Sequence, residues 1–141
     1  MGRDTLTLLS RREAALLLLA GAAAPARAQE RIDYSEVTSL DIAARWAADG
    51  RLARILLFPS ELGGEDVPPN VSYVPPSALP RRAAAIEALS EEAEQGLIDR
   101  MDVRPDYAGR SFVPTRLRFA ASHSATGHRF ARVVEIWTPP A

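Results

Sequence analysis

Residues 80–95, PRRAAAIEALSEEAEQ, contain no glycine, with Pro80 at the start and Gly96 just past the end. Local propensity and the proline-first, glycine-last asymmetry therefore agree on one helix. Leu79, Ala83, Ile86, Ala93 and Leu97 recur at helical spacing on one side with Leu89 close by, and Glu87, Glu91, Glu92 and Glu94 take the rest. The chain then changes period. Between residues 97 and 107, Met101, Val103 and Tyr107 alternate with Asp102, Arg104 and Asp106. Between 112 and 122, Thr115, Leu117, Phe119 and Ala121 face one way and Arg116 and Arg118 the other. That is the pattern of half-buried antiparallel strands. A last strand over 129–137 is less clean, because Arg132 shares a side with Phe130, Val134 and Ile136. The short turn 124–127, SATG, makes the last two strands a hairpin.

Upstream, residues 40–48 read as a helix with Ser39 as N-cap, Asp41 in the first turn and Gly50 as terminator. Ile42 and Trp46, four apart, share its apolar face. Residues 52–58 form a strand ended by Pro59, and 71–74 a short edge strand held between prolyl pairs, whose edge is expected to be covered by the following helix or else to accept a partner strand. Residues 30–37 read as a polar lead-in. The order is α, β, β, α, β, β, β. The expected class is α+β: a mostly antiparallel sheet of about five strands with two helices on one face.

The first thirty residues carry a separate signal. Arg3, Arg11 and Arg12 precede the apolar run 14–24, Pro25 breaks it, and Ala26-Arg27-Ala28 has the A-x-A form of a cleavage site. The apolar run is too short for a span, which needs about 20 residues. Ser10-Arg11-Arg12-Glu13 followed by Ala14-Ala15-Leu16 resembles the twin-arginine (Tat) signal, departing from it where Ala14 replaces the usual Phe, so a general secretory signal stays open. The expectation is a bacterial export precursor: 1–28 a signal peptide, 29–141 a single small domain, periplasmic or secreted, beginning at Gln29 or Glu30.

Of the 141 residues, 17 are basic and 18 acidic; the leader takes four and two of these, leaving 13 against 16. That balance is no footprint for nucleic acid, which wants a basic stripe. No cysteine is present, which excludes disulfides, thiol nucleophiles and thiolate metal sites. Every basic residue is arginine, so a Schiff-base lysine is excluded as well.

No phosphate loop, zinc-protease helix, nucleophile elbow or dinucleotide fingerprint occurs. The candidates are weaker constellations. Glu61, Glu65 and Asp66 crowd a loop with Gly63 and Gly64; it suits a contact loop or a solvated turn and matches no calcium spacing. Arg81 and Arg82 stand in the first turn of the long helix, against the macrodipole, where they and the free amides would hold an anion or else pair with nearby acids. Arg104, Asp106, Tyr107, Arg110 and Ser111 surround Gly109 as a cleft mouth or as turn chemistry. His123 and His128 flank the SATG turn without a carboxylate or cysteine beside them, so they make a poor metal site. The expected ligand-binding residues are Arg81, Arg82, Arg110, Glu61 and Asp66, with no catalytic residue, metal or cofactor assigned. The expected function is a non-catalytic binding module for a protein or small molecule of the cell envelope. The alternative is a small exported hydrolase or isomerase whose acids and bases come from Glu61, Asp66, Arg110 or His123.

Overall fold

Ser39 opens the first helix, α1 (Leu40–Ala48), through its hydroxyl, which accepts from the Ile42 amide at 3.2 Å. This comes from a computed structural model that describes residues 32–141. The expected signal peptide, residues 1–28, lies outside the described residues. Gly50, at φ 80°, ends α1 in the left-handed conformation that suits glycine.

Two short strands follow, β1 (Ala53–Leu56) and β2 (Val71–Val74), paired antiparallel with Ile55 opposite Ser72. Asn70 closes the loop between them. Its Oδ1 accepts from the Phe58 amide at 2.8 Å, while its Nδ2 donates to the carbonyls of Phe58 and Glu65, each at 3.0 Å.

The long helix α2 spans Leu79–Glu94 and buries Ala85, Ile86 and Leu89, with Ala93 packed on the core. Ile86, Leu89 and Ala93 of the expected inner face are there, but its ends are not. Leu79 and Leu97 are 36% and 37% exposed, and Ala83 is exposed. One turn before Ala85 and Ile86 the inner face carries Arg82, half-buried, with its Nη2 donating to the Leu56 carbonyl. An arginine lays its apolar stem along the core and carries its charge to a main-chain acceptor, and hydropathy patterning does not register that.

Three longer strands, β3 (Arg100–Asp106), β4 (Arg116–Ser122) and β5 (Arg129–Glu135), form an antiparallel sheet in the order β3-β4-β5. The α+β class, the element order and five antiparallel strands match the expectation. The single sheet does not: the strands divide into a two-stranded and a three-stranded ladder. Pro75 directly follows β2 and Pro59 lies shortly past β1, and neither has an N–H with which to extend the two-stranded ladder.

The inner sheet face carries Leu117, Phe119, Ala121 and Val134, all buried, with Met101, Val103 and Phe130 packed against them. Burying a side chain such as Leu117 contributes about 1.5–3 kcal/mol. Arg132 lies opposite Phe119 on this face, yet it sits on an edge strand and stacks its guanidinium 4.2 Å over the Phe130 ring. The irregular pattern of the last strand is therefore a cation–π cover at the sheet edge.

The lead-in is structural rather than polar. Tyr34 and Val37 are 4% and 0% exposed. Tyr34 packs edge-on against Trp137 at 5.5 Å and tilted against Trp46 at 6.1 Å. Its carbonyl accepts from the Ser111 hydroxyl at 2.8 Å, and the Val37 carbonyl accepts from the Phe112 amide at 2.7 Å. Residues 33–141 form one unit. Among the described residues no helix is long and apolar enough to cross a membrane.

Candidate functional site

The fold separates the acids and arginines singled out in the sequence. Asp66 is forked by Arg54 through bonds of 3.1 and 2.6 Å, and this pairing holds its carboxyl below the usual value. Glu61 lies on another turn, where its charge acts on Arg82. Burial pushes the Arg82 guanidinium below its usual value and the Glu61 charge opposes this. The Arg82 Nε is buried with no partner among the described residues. Arg81 turns away from the helix amides and donates to the Glu135 carbonyl at 3.0 Å and to Ser77 at 3.3 Å. Arg110 is exposed in the β3–β4 connection. Its neighbours disperse: Asp106 pairs with Arg118 at 2.8 Å, Arg104 with Asp102 at 2.7 Å, and the Ser111 hydroxyl is buried. Glu61 and Arg82 are thus brought together, and the other three candidates are not.

The hairpin joins the two histidines through the main chain, the His123 amide donating to the His128 carbonyl at 2.9 Å, while each side chain meets an acid. His128 Nε2 lies 2.8 Å from Glu92 on α2. His123 Nδ1 accepts from the Ala125 amide at 3.1 Å, which leaves Nε2 as the proton-bearing nitrogen of the neutral ring. That Nε2 stands 4.0 Å from Asp99. Asp99 also accepts from the Ser124 amide at 2.9 Å and from the Ser124 hydroxyl. Those two bonds, the hydroxyl first, hold the Asp99 carboxyl below its usual value, with smaller help from His123 and Arg100. The hairpin tip is therefore locked to the α2–β3 connection. No spacing in the sequence signals it, since Asp99 and Ser124 are far apart along the chain.

The outer face of the three-stranded sheet is largely exposed. Register arranges it in rows. Asp106, Arg116 and Glu135 form one, Arg104, Arg118 and Val133 the next, then Asp102, Ala120 and Ala131, and finally Arg100, Ser122 and Arg129. The first two rows are laced by ion pairs: Asp106 reaches Arg118 at 2.8 Å and Arg116 at 3.6 Å. The fourth row has none. Arg100 and Arg129 have no acidic partner within 4 Å among the described residues, and the half-buried Ser122 hydroxyl between them makes no hydrogen bond with a described residue. A hollow of about 360 Å³ opens beside this row, lined by Ala120, Ala121, Ser122, His123, Gly127 and Arg129.

A second hollow, of about 410 Å³, lies over Trp46. Arg51 already stacks 4.0 Å over that ring and pairs with Asp49 at 3.0 Å, so the aromatic face is occupied from within. Among the described residues no group of three or more His, Asp or Glu is placed to hold a metal ion. Comparison with protein-family models, with curated proteins and with solved structures finds no match for this chain.

Proposed function

We propose that the chain is an exported, non-catalytic binding domain that meets its partner on the outer face of the β3–β4–β5 sheet. One observation carries this reading. An apolar patch of Ala120, Ala131 and Val133, with Val133 56% exposed, lies on that face with charged residues in and beside its rows. An apolar middle with a polar rim is the anatomy of a protein-binding patch. Export rests on the arginine-led apolar leader ending at Ala28, and intact mass of the exported protein should begin at Gln29 or Glu30.

The binding reading is tested by a thermal-shift screen against anions, pooled metabolites and acidic peptides. A ligand at 100 times its Kd stabilises by about 2.7 kcal/mol. A hit on the outer face is lost in Val133→Asp, which adds a charge to an exposed position. A hit unchanged in that variant places binding elsewhere and overturns the assignment.

A second reading, a small exported hydrolase or isomerase, has its own observation in the meeting of Asp99, His123 and Ser124 at the hairpin tip. Here Ser124 donates directly to Asp99, whereas an activated nucleophile needs a base at its own oxygen. This reading requires Ser124 to exchange Asp99 for His123. Turnover of ester substrates that disappears in Ser124→Ala would establish it; equal turnover in wild type and variant would remove it.

A further inference from the structure

The fourth row of the outer sheet face breaks the pattern of the others. Arg104, Arg116 and Arg118 each have a carboxylate on the same face. Arg100 and Arg129 share a row with a hydroxyl and with no acid. Like charges close together on one sheet face oppose folding, and here only Asp99, beyond 4 Å, offsets part of the charge, through Arg100. The acid next to the row in the chain is Asp99. Its carboxylate is engaged by the Ser124 amide and hydroxyl and faces His123 at 4.0 Å. Strand spacing puts the Arg100 and Arg129 backbones about 10 Å apart with Ser122 midway. Two arginine side chains bridge that span onto a group a few ångströms across, and their forked donors match oxyanion geometry. The Ser122 hydroxyl supplies a further donor at the centre, and the hollow of about 360 Å³ lined by Ser122 and Arg129 gives the ligand room.

From this row we infer that Arg100, Ser122 and Arg129 form a binding site for a doubly charged oxyanion of the phosphate-monoester class. Charge matching selects the class: two guanidinium groups with no carboxylate within 4 Å among the described residues suit one dianion, and a phosphate monoester carries about −1.5 to −2 at neutral pH. The site deepens the binding-domain reading and rests on it, because it lies at one end of the same face and gives the partner a charged anchor. His123 lines the same hollow, and its Nδ1 is already committed to the turn amides, so only its Nε2 edge is free to face Asp99 or the ligand.

The test is a titration of the protein with inorganic phosphate at constant ionic strength, followed by amide chemical shifts, with acetate as the singly charged comparison. Saturable shifts at residues 100, 122, 123 and 129 are expected, with acetate at least tenfold weaker. Arg100→Gln and Arg129→Gln should each raise the phosphate Kd at least tenfold, and Arg45→Gln, an exposed arginine on α1, should leave it unchanged. All three sites are on the surface, so unchanged melting temperatures verify the fold of the variants. Absent or non-saturable shifts, equal acetate binding, or unchanged affinity in the two row variants would each overturn the site. Loss of the anion site with retained capture of a partner at position 133 would spare the binding face; loss of both would remove the two together.

Discussion

The side chain of Asn70 holds the main chain of Phe58 from both sides, accepting from its amide at 2.8 Å and donating to its carbonyl at 3.0 Å. An amide side chain can do this because it carries an acceptor and two donors on one rigid plane. The spare donor reaches the Glu65 carbonyl at 3.0 Å, so one residue closes the whole acidic loop. Asn70→Ala leaves the half-buried Phe58 amide and carbonyl without these partners and should cost about 2–3 kcal/mol. Asn70→Asp keeps the acceptor and loses both donors, so urea denaturation should place it between wild type and alanine.

Gly64 makes the same loop intolerant in a second way. A Cβ there would stand 1.8 Å from the Phe58 carbonyl oxygen and 2.6 Å from its carbon. Gly63, at φ 100°, has open space around it. Gly64→Ala must displace backbone and should cost about 2–3 kcal/mol. Gly63→Ala pays only for a left-handed residue, about 1–2 kcal/mol. Thermal melts of the two variants should rank in that order.

Ser72 is 4% exposed, and its hydroxyl is buried without a partner among the described residues. Burying an unmade hydrogen bond opposes folding, so Ser72→Ala should be neutral or stabilising by up to about 1 kcal/mol. A melting temperature that falls by several degrees would mean that the hydroxyl has a partner.

Helix α1 was legible because Ser39 and Gly50 act through local backbone chemistry. The alternation in β4 was legible because Leu117 and Phe119 face the core while Arg118 faces water. What escaped depends on contacts distant in sequence. Arg82 reads as a misplaced surface charge until Leu56 is seen to accept from it. Tyr34 and Val37 read as a polar lead-in until residues 111–113 and Trp137 are folded over them. The site row was equally hidden: Arg100, Ser122 and Arg129 lie on three strands, and only register sets them side by side. Arg110 was singled out for its sequence neighbours, which the fold pairs with other residues.

Asp99 gives the acid limb of stability a local origin. Its folded pKa is lowered from the ordinary 3.8, so its contribution is fully present above that value and is lost as pH falls through the lowered one. Asp99→Asn should flatten part of the stability loss below about pH 4 and should release the Ser124 turn. Asp33 and Asp66 are lowered too, so some acid sensitivity remains. Melts between pH 2 and 6 check this. Identical pH profiles for wild type and variant would show that the Asp99–Ser124 bond contributes nothing.

The binding face itself is tested most directly by photo-crosslinking in the exporting cell, with a photoreactive residue at Val133 on the outer sheet face or at Glu87 on the exposed side of α2. A discrete covalent adduct at position 133, absent at 87 and reduced when Arg100 and Arg129 are both glutamine, is the expected result. Adducts at 87 and none at 133 would contradict the outer sheet face as the binding surface.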